Sequence, residues 1–214
     1  MNADDIARYL RSHPDFFDRH PDLIATIHVP HPHGGRAIPL AERQTVALRE
    51  KLKLLEARLG ELLQFGEEND AISEKVHRLS VALAGAKDFP ALVASLYFHL
   101  REDFAVPHVA LRVWGKSVPA DFDEAQAVDE AQRHYAGTMG APQCGPATGN
   151  PFAVWFRDAA EHVRSMALMP LGQTTVFGLL ALGSEDPKRF FPEMGTLYLR
   201  RIGELCAAGV TARL

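Results

Sequence analysis

Cysteine and histidine are the side chains of this sequence best suited to nucleophilic, redox or metal chemistry, so their spacing comes first. Three histidines crowd into His28-Val29-Pro30-His31-Pro32-His33-Gly34-Gly35, and imidazole is a frequent zinc ligand. No cysteine or carboxylate lies in that stretch, its prolines hold it extended, and Gly34-Gly35 mark a turn. A Pro-rich linker is the expectation, with no metal site. His99, His108, His134 and His162 stand singly with no nucleophile at informative spacing, and read as ordinary polar residues. Cys144 and Cys206 are the two thiols; far apart in sequence, they make no disulfide framework and suit a reducing compartment. The chain carries no P-loop, GxSxG elbow, HExxH or paired-cysteine motif. Gly137-Thr138-Met139-Gly140 and Gly145-Pro146 lack the strand-to-helix setting of a phosphate cradle. No enzyme is expected, and a thiol-dependent one using Cys144 is the residual alternative.

Composition narrows the class further. A chain of 214 residues, 47% hydrophobic and 23% charged, can bury a full core and carry an extension besides. Its 23 basic and 27 acidic residues give a net charge of −4, and no segment interleaves basic residues with aromatics. Nucleic acid is not an expected partner. No apolar run could span a bilayer, and the opening MNADDIARYL has acids where a signal peptide needs bases. A soluble, cytoplasmic protein without membrane contact is the expectation.

The elements that must position any site begin with a helical segment. Ile6, Ala7, Tyr9 and Leu10 stripe a first helix that His13-Pro14 ends. His13-Pro14-Asp15-Phe16-Phe17 and His20-Pro21-Asp22-Leu23-Ile24 form a near-repeat, each placing Pro at a first helical position and Asp in the first turn. Phe16, Phe17, Leu23 and Ile24 need cover, which Val46, Leu54 and Phe65 of the following helix are expected to supply. That helix, from about Leu40 to about Ala84, would be roughly 65 Å long at 1.5 Å per residue. Leu48, Leu52, Leu55, Leu59 and Leu62 occupy the a and d positions of a heptad along it, a seam longer than the small N-terminal module can cover. A homodimer through residues 45 to 65 is the expectation. Lys51 would face Glu56 of a parallel partner, one attractive pair, and leucine at both a and d leaves the oligomer number weakly specified. Past Gly66 and Asn69 the stripe resumes one position out of register as Ile72, Val76, Leu79 and Leu83, consistent with either a 3.6-residue period or a break at Gly66.

The C-terminal half reads as α+β. Phe89, Leu92, Val93, Leu96, Leu100 and Phe104 recur at helical spacing after an Asp88 cap. Val109, Leu111 and Val113 alternate with Ala110, Arg112 and Trp114 as in a strand with one face buried. Ser165 to Leu171 and Val176 to Leu182, separated by Gly172-Gln173-Thr174-Thr175, predict an antiparallel hairpin in the middle of a sheet. Asp121 to Tyr135 reads as an acidic helix, Thr138 to Pro151 as a loop, and Leu197, Tyr198, Ile202, Leu205 and Gly209 line a last helix. The expected segments are a short-helix module over 1–36, a coiled-coil-like connecting helix over 37–72, and the α+β domain over 73–214.

Several stretches together resemble a known family. Gly178-Leu179-Leu180-Ala181-Leu182-Gly183-Ser184, then Asp186-Pro187, Arg189-Phe190, Pro192 and Met194-Gly195-Thr196, are similar to the C-terminal signature of an uncharacterised bacterial family with a GAF-like domain, the DUF 484 family. His13-Pro14-Asp15-Phe16-Phe17, Pro30-His31, Gly35, Glu42-Arg43-Gln44 and Leu48-Arg49 resemble its opening segment, and Cys144-Gly145 a motif in its middle. The resemblance spans nearly the whole chain. It implies a central antiparallel sheet with helices from both ends of the domain packed on one face, and no established activity.

GAF-like domains often hold small molecules between the sheet and its covering segments. Here the implied cover runs from about Lys116 to His162, and Arg112, Trp114, Tyr135, Cys144, Trp155 and Arg157 are the candidate ligand contacts. Each also has a plain structural role open to it, the arginines as solvated strand residues and the tryptophans as half-buried packing residues. The pattern of cyclic-nucleotide GAF domains is missing. Cys144 precedes Gly145 rather than the histidine of a bilin attachment site, and it lacks the companion cysteines of GAF-fold methionine sulfoxide reductases. No cofactor is named. The expectation is a non-catalytic regulatory or sensory module that couples small-molecule binding to dimerisation or to a protein partner. With no effector segment after the last helix, output is expected to pass through protein contacts; a ligand-free scaffolding dimer is the alternative.

Overall fold

The first helix begins where a capping box can form. Asp5 N donates to Asn2 Oδ1 at 2.8 Å and Asn2 N to Asp5 Oδ2 at 3.0 Å, satisfying two helix-end donors reciprocally. The computed structural model describes residues 2–29, 38–115, 117–172 and 174–214, in two compact units, Met1–Glu67 and Glu68–Leu214. In the first unit α1 (Ala3–Ser12) is followed by α2 (Phe16–Arg19) and α3 (Pro21–Thr26). Pro21 takes the first helical position, as expected, but Pro14 sits in the turn before α2, so the near-repeat in sequence is not a structural repeat. Tyr9, Phe16 and Phe17 pack edge to face at centroid distances of 6.1 and 5.3 Å. The expected linker includes a short antiparallel ladder between β1 (His28–Val29) and β2 (Ile38–Pro39). His31, His33, Gly34 and Gly35 lie outside the described residues.

Helix α4 (Leu40–Gly85) runs without a break through Gly66, the first of the two alternatives left by the shifted stripe. An interior glycine costs about 1 kcal/mol relative to alanine, which a helix packed at one end can absorb. Val46, Leu54 and Phe65 do not form the covered surface expected of them, since they are 42%, 53% and 58% exposed.

Beyond Glu68 the same helix is a core element. Val76, Leu79 and Leu83 are buried beside Leu92, Leu96 and Leu100 of α5 (Phe89–Glu102), whose start is fixed by Ala91 N donating to Asp88 Oδ1 at 2.9 Å. The strands β3 (His108–Val113), β4 (Gln143–Pro146), β5 (Ser165–Leu171) and β6 (Gly178–Ser184) make one antiparallel sheet in the order β3-β6-β5-β4. The expected β5–β6 hairpin is therefore central. β4 falls in the stretch read as a loop, and the acidic helix over 121–135 is instead a 3₁₀ turn at Asp123–Ala125 followed by α6 (Glu130–Thr138).

Side-chain parity builds two cores. Val109, Leu111, Val113, Leu180 and Leu182 face α4, α5 and α7 (Leu197–Thr211), where Leu199, Ile202, Cys206 and Val210 are buried. Ala110, Leu179 and Ala181 face Phe152, Trp155, Phe156 and Val163, in and around the 3₁₀ segment Ala153–Ala159, and Ala136 of α6 joins them. Both faces of β3 are thus covered, whereas sequence alternation predicted only one. Gly183 is what lets the second layer close down: a Cβ there would stand 2.9 Å from Phe156 Cζ and 3.1 Å from Val163 Cγ1.

Candidate ligand site

Register divides the candidate contacts before any distance is measured. Cys144 pairs with Ala167, Ala167 with Leu182, and Leu182 with Val109, so Cys144 lies on the odd, helix-covered face of β3, and Arg112 and Trp114 on the other. Cys144 packs against the helical core, and burial pushes its thiol up to about 11; Cys206, enclosed in α7, is pushed up to about 12 by the same cause. Both are held as thiols at neutral pH. Trp114 donates its indole N–H to Val176 O at 3.1 Å and packs in the second core, and Tyr135 packs at a tilt against Phe152 while its hydroxyl donates to Gln143 Oε1 at 2.8 Å. Neither Trp114 nor Tyr135 lines the cavity that the remaining candidates share.

The other three candidates meet. Arg112, Trp155 and Arg157 line a cavity of about 210 Å³ together with Tyr97, Arg101, His108, Asp123 and Phe156. Arg112 is no solvated strand residue, being only 5% exposed, and its guanidinium carbon lies 5.6 Å from the centre of the Trp155 ring. Nη1 donates to Leu111 O at 2.9 Å and Nη2 to Gln126 Oε1 at 3.1 Å, and Gln126 Nε2 donates on to Asp123 Oδ1 at 2.9 Å. Asp123 is ion-paired with Arg157, both more than half exposed at the rim. Arg157 holds φ 55° and ψ −125°, a combination that side-chain-bearing residues rarely adopt.

Beneath Arg112 a buried polar relay fixes the strand edge. Tyr97 of α5 donates its hydroxyl to Glu124 Oε1 at 2.6 Å and accepts Leu111 N–H at 3.2 Å. The outward N–H of Leu111 is thus capped by Tyr97 and its C=O by Arg112, which blunts an edge strand that would otherwise offer unpaired main chain. Burial, and then the bond to and charge of Glu124, raise the Tyr97 phenol well above its ordinary value, so it remains a donor. Burial lowers the Arg112 guanidinium, and the charges of Asp123 and Glu124 offset this only in part.

Sequence reasoning missed Tyr97, Arg101, His108, Asp123 and Glu124. Tyr97 was legible as part of the stripe Val93, Leu96, Tyr97 and Leu100, but its role depends on where β3 and the 3₁₀ turn come to lie. A larger cleft of about 1030 Å³ opens between Gly137–Pro142, Thr174–Phe177 and the Arg200 to Thr211 stretch of α7. It holds none of the six candidates, and among the described residues its charged lining is one residue of each sign, Arg200 and Glu204. The smaller cavity sets a buried cation beside a tryptophan face.

A four-stranded antiparallel sheet with chain-end helices on one face and short turns over a cavity on the other defines a GAF-like domain. The A. aeolicus nlh2 GAF domain in an inactive state superposes with a TM-score of 0.52 at 13% identity, covering 68% of this chain and 99% of that one. The chain belongs to the family described as "Protein of unknown function, DUF484", whose profile matches residues 1–211. A relative from Salmonella typhimurium, the uncharacterized protein YigA, is 24% identical over 212 residues, 92% of this chain and 86% of its own. The free methionine-R-sulfoxide reductase of Neisseria meningitidis, in complex with its substrate, superposes at a TM-score of 0.49 with 20% identity over 66% of this chain and 89% of that one.

Proposed function

We propose that this protein is a non-catalytic regulatory or sensory module. Its GAF-like unit binds a small molecule in the cavity beside Trp155, and residues 45 to 65 of α4 join two copies, with a protein partner as the further recipient of the signal. The observation that carries the reading is the seam itself: Leu48, Leu52, Leu55, Leu59 and Leu62 are 67%, 56%, 51%, 57% and 66% exposed. Soluble chains rarely leave so regular an apolar row to water. At about 1.5–3 kcal/mol for each fully covered leucine, burying the exposed half of five would contribute on the order of 5 kcal/mol per chain before association costs. α4 carries that seam at one end and core residues Val76, Leu79 and Leu83 at the other, so a single element serves assembly and domain.

A non-catalytic reading is supported by the two thiols, which are kept protonated, and by Cys144 lying on the opposite sheet face from Arg112. Among the described residues, no helix is long and apolar enough to cross a membrane.

Light scattering tests the assembly. The wild-type chain is expected to run as a dimer at micromolar concentration. Leu52→Glu with Leu59→Glu is expected to give a folded monomer, because those side chains are already exposed within the chain and charge removes only the intermolecular gain. A wild-type monomer would sink the proposal.

A further inference from the structure

A buried arginine without a carboxylate partner needs an explanation, since the fold has removed its charge from water. Arg112 makes no ion pair with any described residue, and its two hydrogen bonds go to the neutral oxygens of Leu111 and Gln126. Of the five N–H groups of a guanidinium, three are left without a protein acceptor among the described residues. The nearby acids are committed elsewhere, Asp123 to Arg157 and to Gln126, Glu124 to Tyr97. His108 also lines the cavity, and its Nε2 is buried without a hydrogen-bond partner, 3.7 Å from Glu185 Oε1.

We infer that the cavity between Arg112, His108 and Trp155 receives a small organic carboxylate, the carboxylate lying on the Arg112 fork and the apolar part of the molecule against Trp155 and Phe156. This rests on the reading of the domain as a ligand-binding module and names the class of ligand. Three features select the class. A guanidinium presents two parallel N–H groups that match the two coplanar oxygens of a carboxylate. The charge calls for an anion, because Arg112 and Arg101 of the lining make no ion pair among the described residues while Arg157 at the rim is paired with Asp123, and phosphate is therefore the anion against which the carboxylate is tested. Size is the third. A volume of about 210 Å³ lies below the ~300–1,000 Å³ typical of pockets for drug-sized ligands, which suits a metabolite of few heavy atoms. The shortfall in the electrostatics agrees, since Asp123 and Glu124 restore less to Arg112 than burial removes, and a bound carboxylate supplies the rest.

The test uses the full chain, thermal denaturation and calorimetric titration with sodium acetate, pyruvate and benzoate at matched ionic strength. Acetamide and benzamide serve as uncharged isosteres, and inorganic phosphate as the competing anion. Saturable stabilisation by at least one carboxylate is expected, with its amide inactive. Arg112→Lys, which keeps the charge and loses the fork, should weaken that carboxylate at least tenfold. If this variant does not fold, the Arg112 side-chain N–H resonance of the wild-type protein, which should move on carboxylate addition and stay put with the amide, decides the same point. Equal response to acid and amide, an unmoved Arg112 resonance, or undiminished affinity in Arg112→Lys overturns the inference. Saturable binding of phosphate or of an uncharged metabolite instead overturns the carboxylate assignment and leaves the ligand-binding module standing. No binding by this set or by a broad metabolite panel overturns both.

Discussion

Replacing Tyr97 by phenylalanine isolates one oxygen on which two buried groups depend. The ring keeps its place against the helical core, so the apolar packing is preserved and the change is confined to the hydroxyl. Leu111 is fully buried, and its N–H would lose the acceptor 3.2 Å away. Glu124, 3% exposed, would lose its donor at 2.6 Å. An orphaned buried N–H costs about 1–3 kcal/mol and a lost bond to a charged acceptor about 1.5–3 kcal/mol, so with some relaxation a loss of about 3 kcal/mol is expected. Urea unfolding measures it, with the midpoint falling at constant slope. Exchange of the Leu111 amide should accelerate at the same time. In a double-mutant cycle with Glu124→Gln, the two changes should couple by at least about 1 kcal/mol because they share one bond. A loss below about 1 kcal/mol with the Leu111 amide still protected would refute the claim that the relay holds the β3 edge.

Three further changes test other parts of the structure. Arg157→Gly should stabilise by about 1 kcal/mol in thermal unfolding, because relief of a strained backbone, worth about 1–3 kcal/mol, exceeds an exposed ion pair worth about 0–1; an unchanged melting point would count against strain at φ 55°. Gly183→Ala drives a methyl to within 2.9 Å of Phe156 and should cost about 1–3 kcal/mol, with partial recovery when Phe156→Leu is added; a neutral effect by urea titration would show that the second layer can withdraw. Cys144, its thiol pushed up to about 11 by burial, gains thiolate only as pH rises, so iodoacetamide labelling should still be climbing at high pH; a rate that levels off near the ordinary thiol range, about 8.5, contradicts the burial.

Local chemistry made most of the fold legible. Asp88 and the stripe from Phe89 to Leu100 mark α5 because a cap and a helical period are properties of neighbours in sequence, and the hairpin of Ser165 to Leu171 with the following apolar run was readable for the same reason. β4 was not, since Gln143-Cys144-Gly145-Pro146 has neither alternation nor β propensity and becomes a strand only because β5 offers it a ladder. The acidic helix failed in an instructive way: Glu124 is buried under Tyr97, a demand no local signal contains. The candidate site divided along the same line. Arg112, Trp155 and Arg157 converge on one cavity, while Cys144 is carried to the far face by its register with β5.

What the sequence determined by itself, then, is what depends on short separations: the α4 seam, the caps, the hairpin, the α+β class and the family resemblance. Tertiary structure alone decided which side chains lose water. It buried Arg112 between Trp155 and Gln126, left its charge without a carboxylate, and placed a cavity beside it. The physical reason is that desolvation is set by every element packed around a residue. The groups around Arg112 come from α5, β3, the 3₁₀ turn at Asp123–Ala125 and the 3₁₀ segment after Phe152, which are distant in sequence and meet only when the sheet closes.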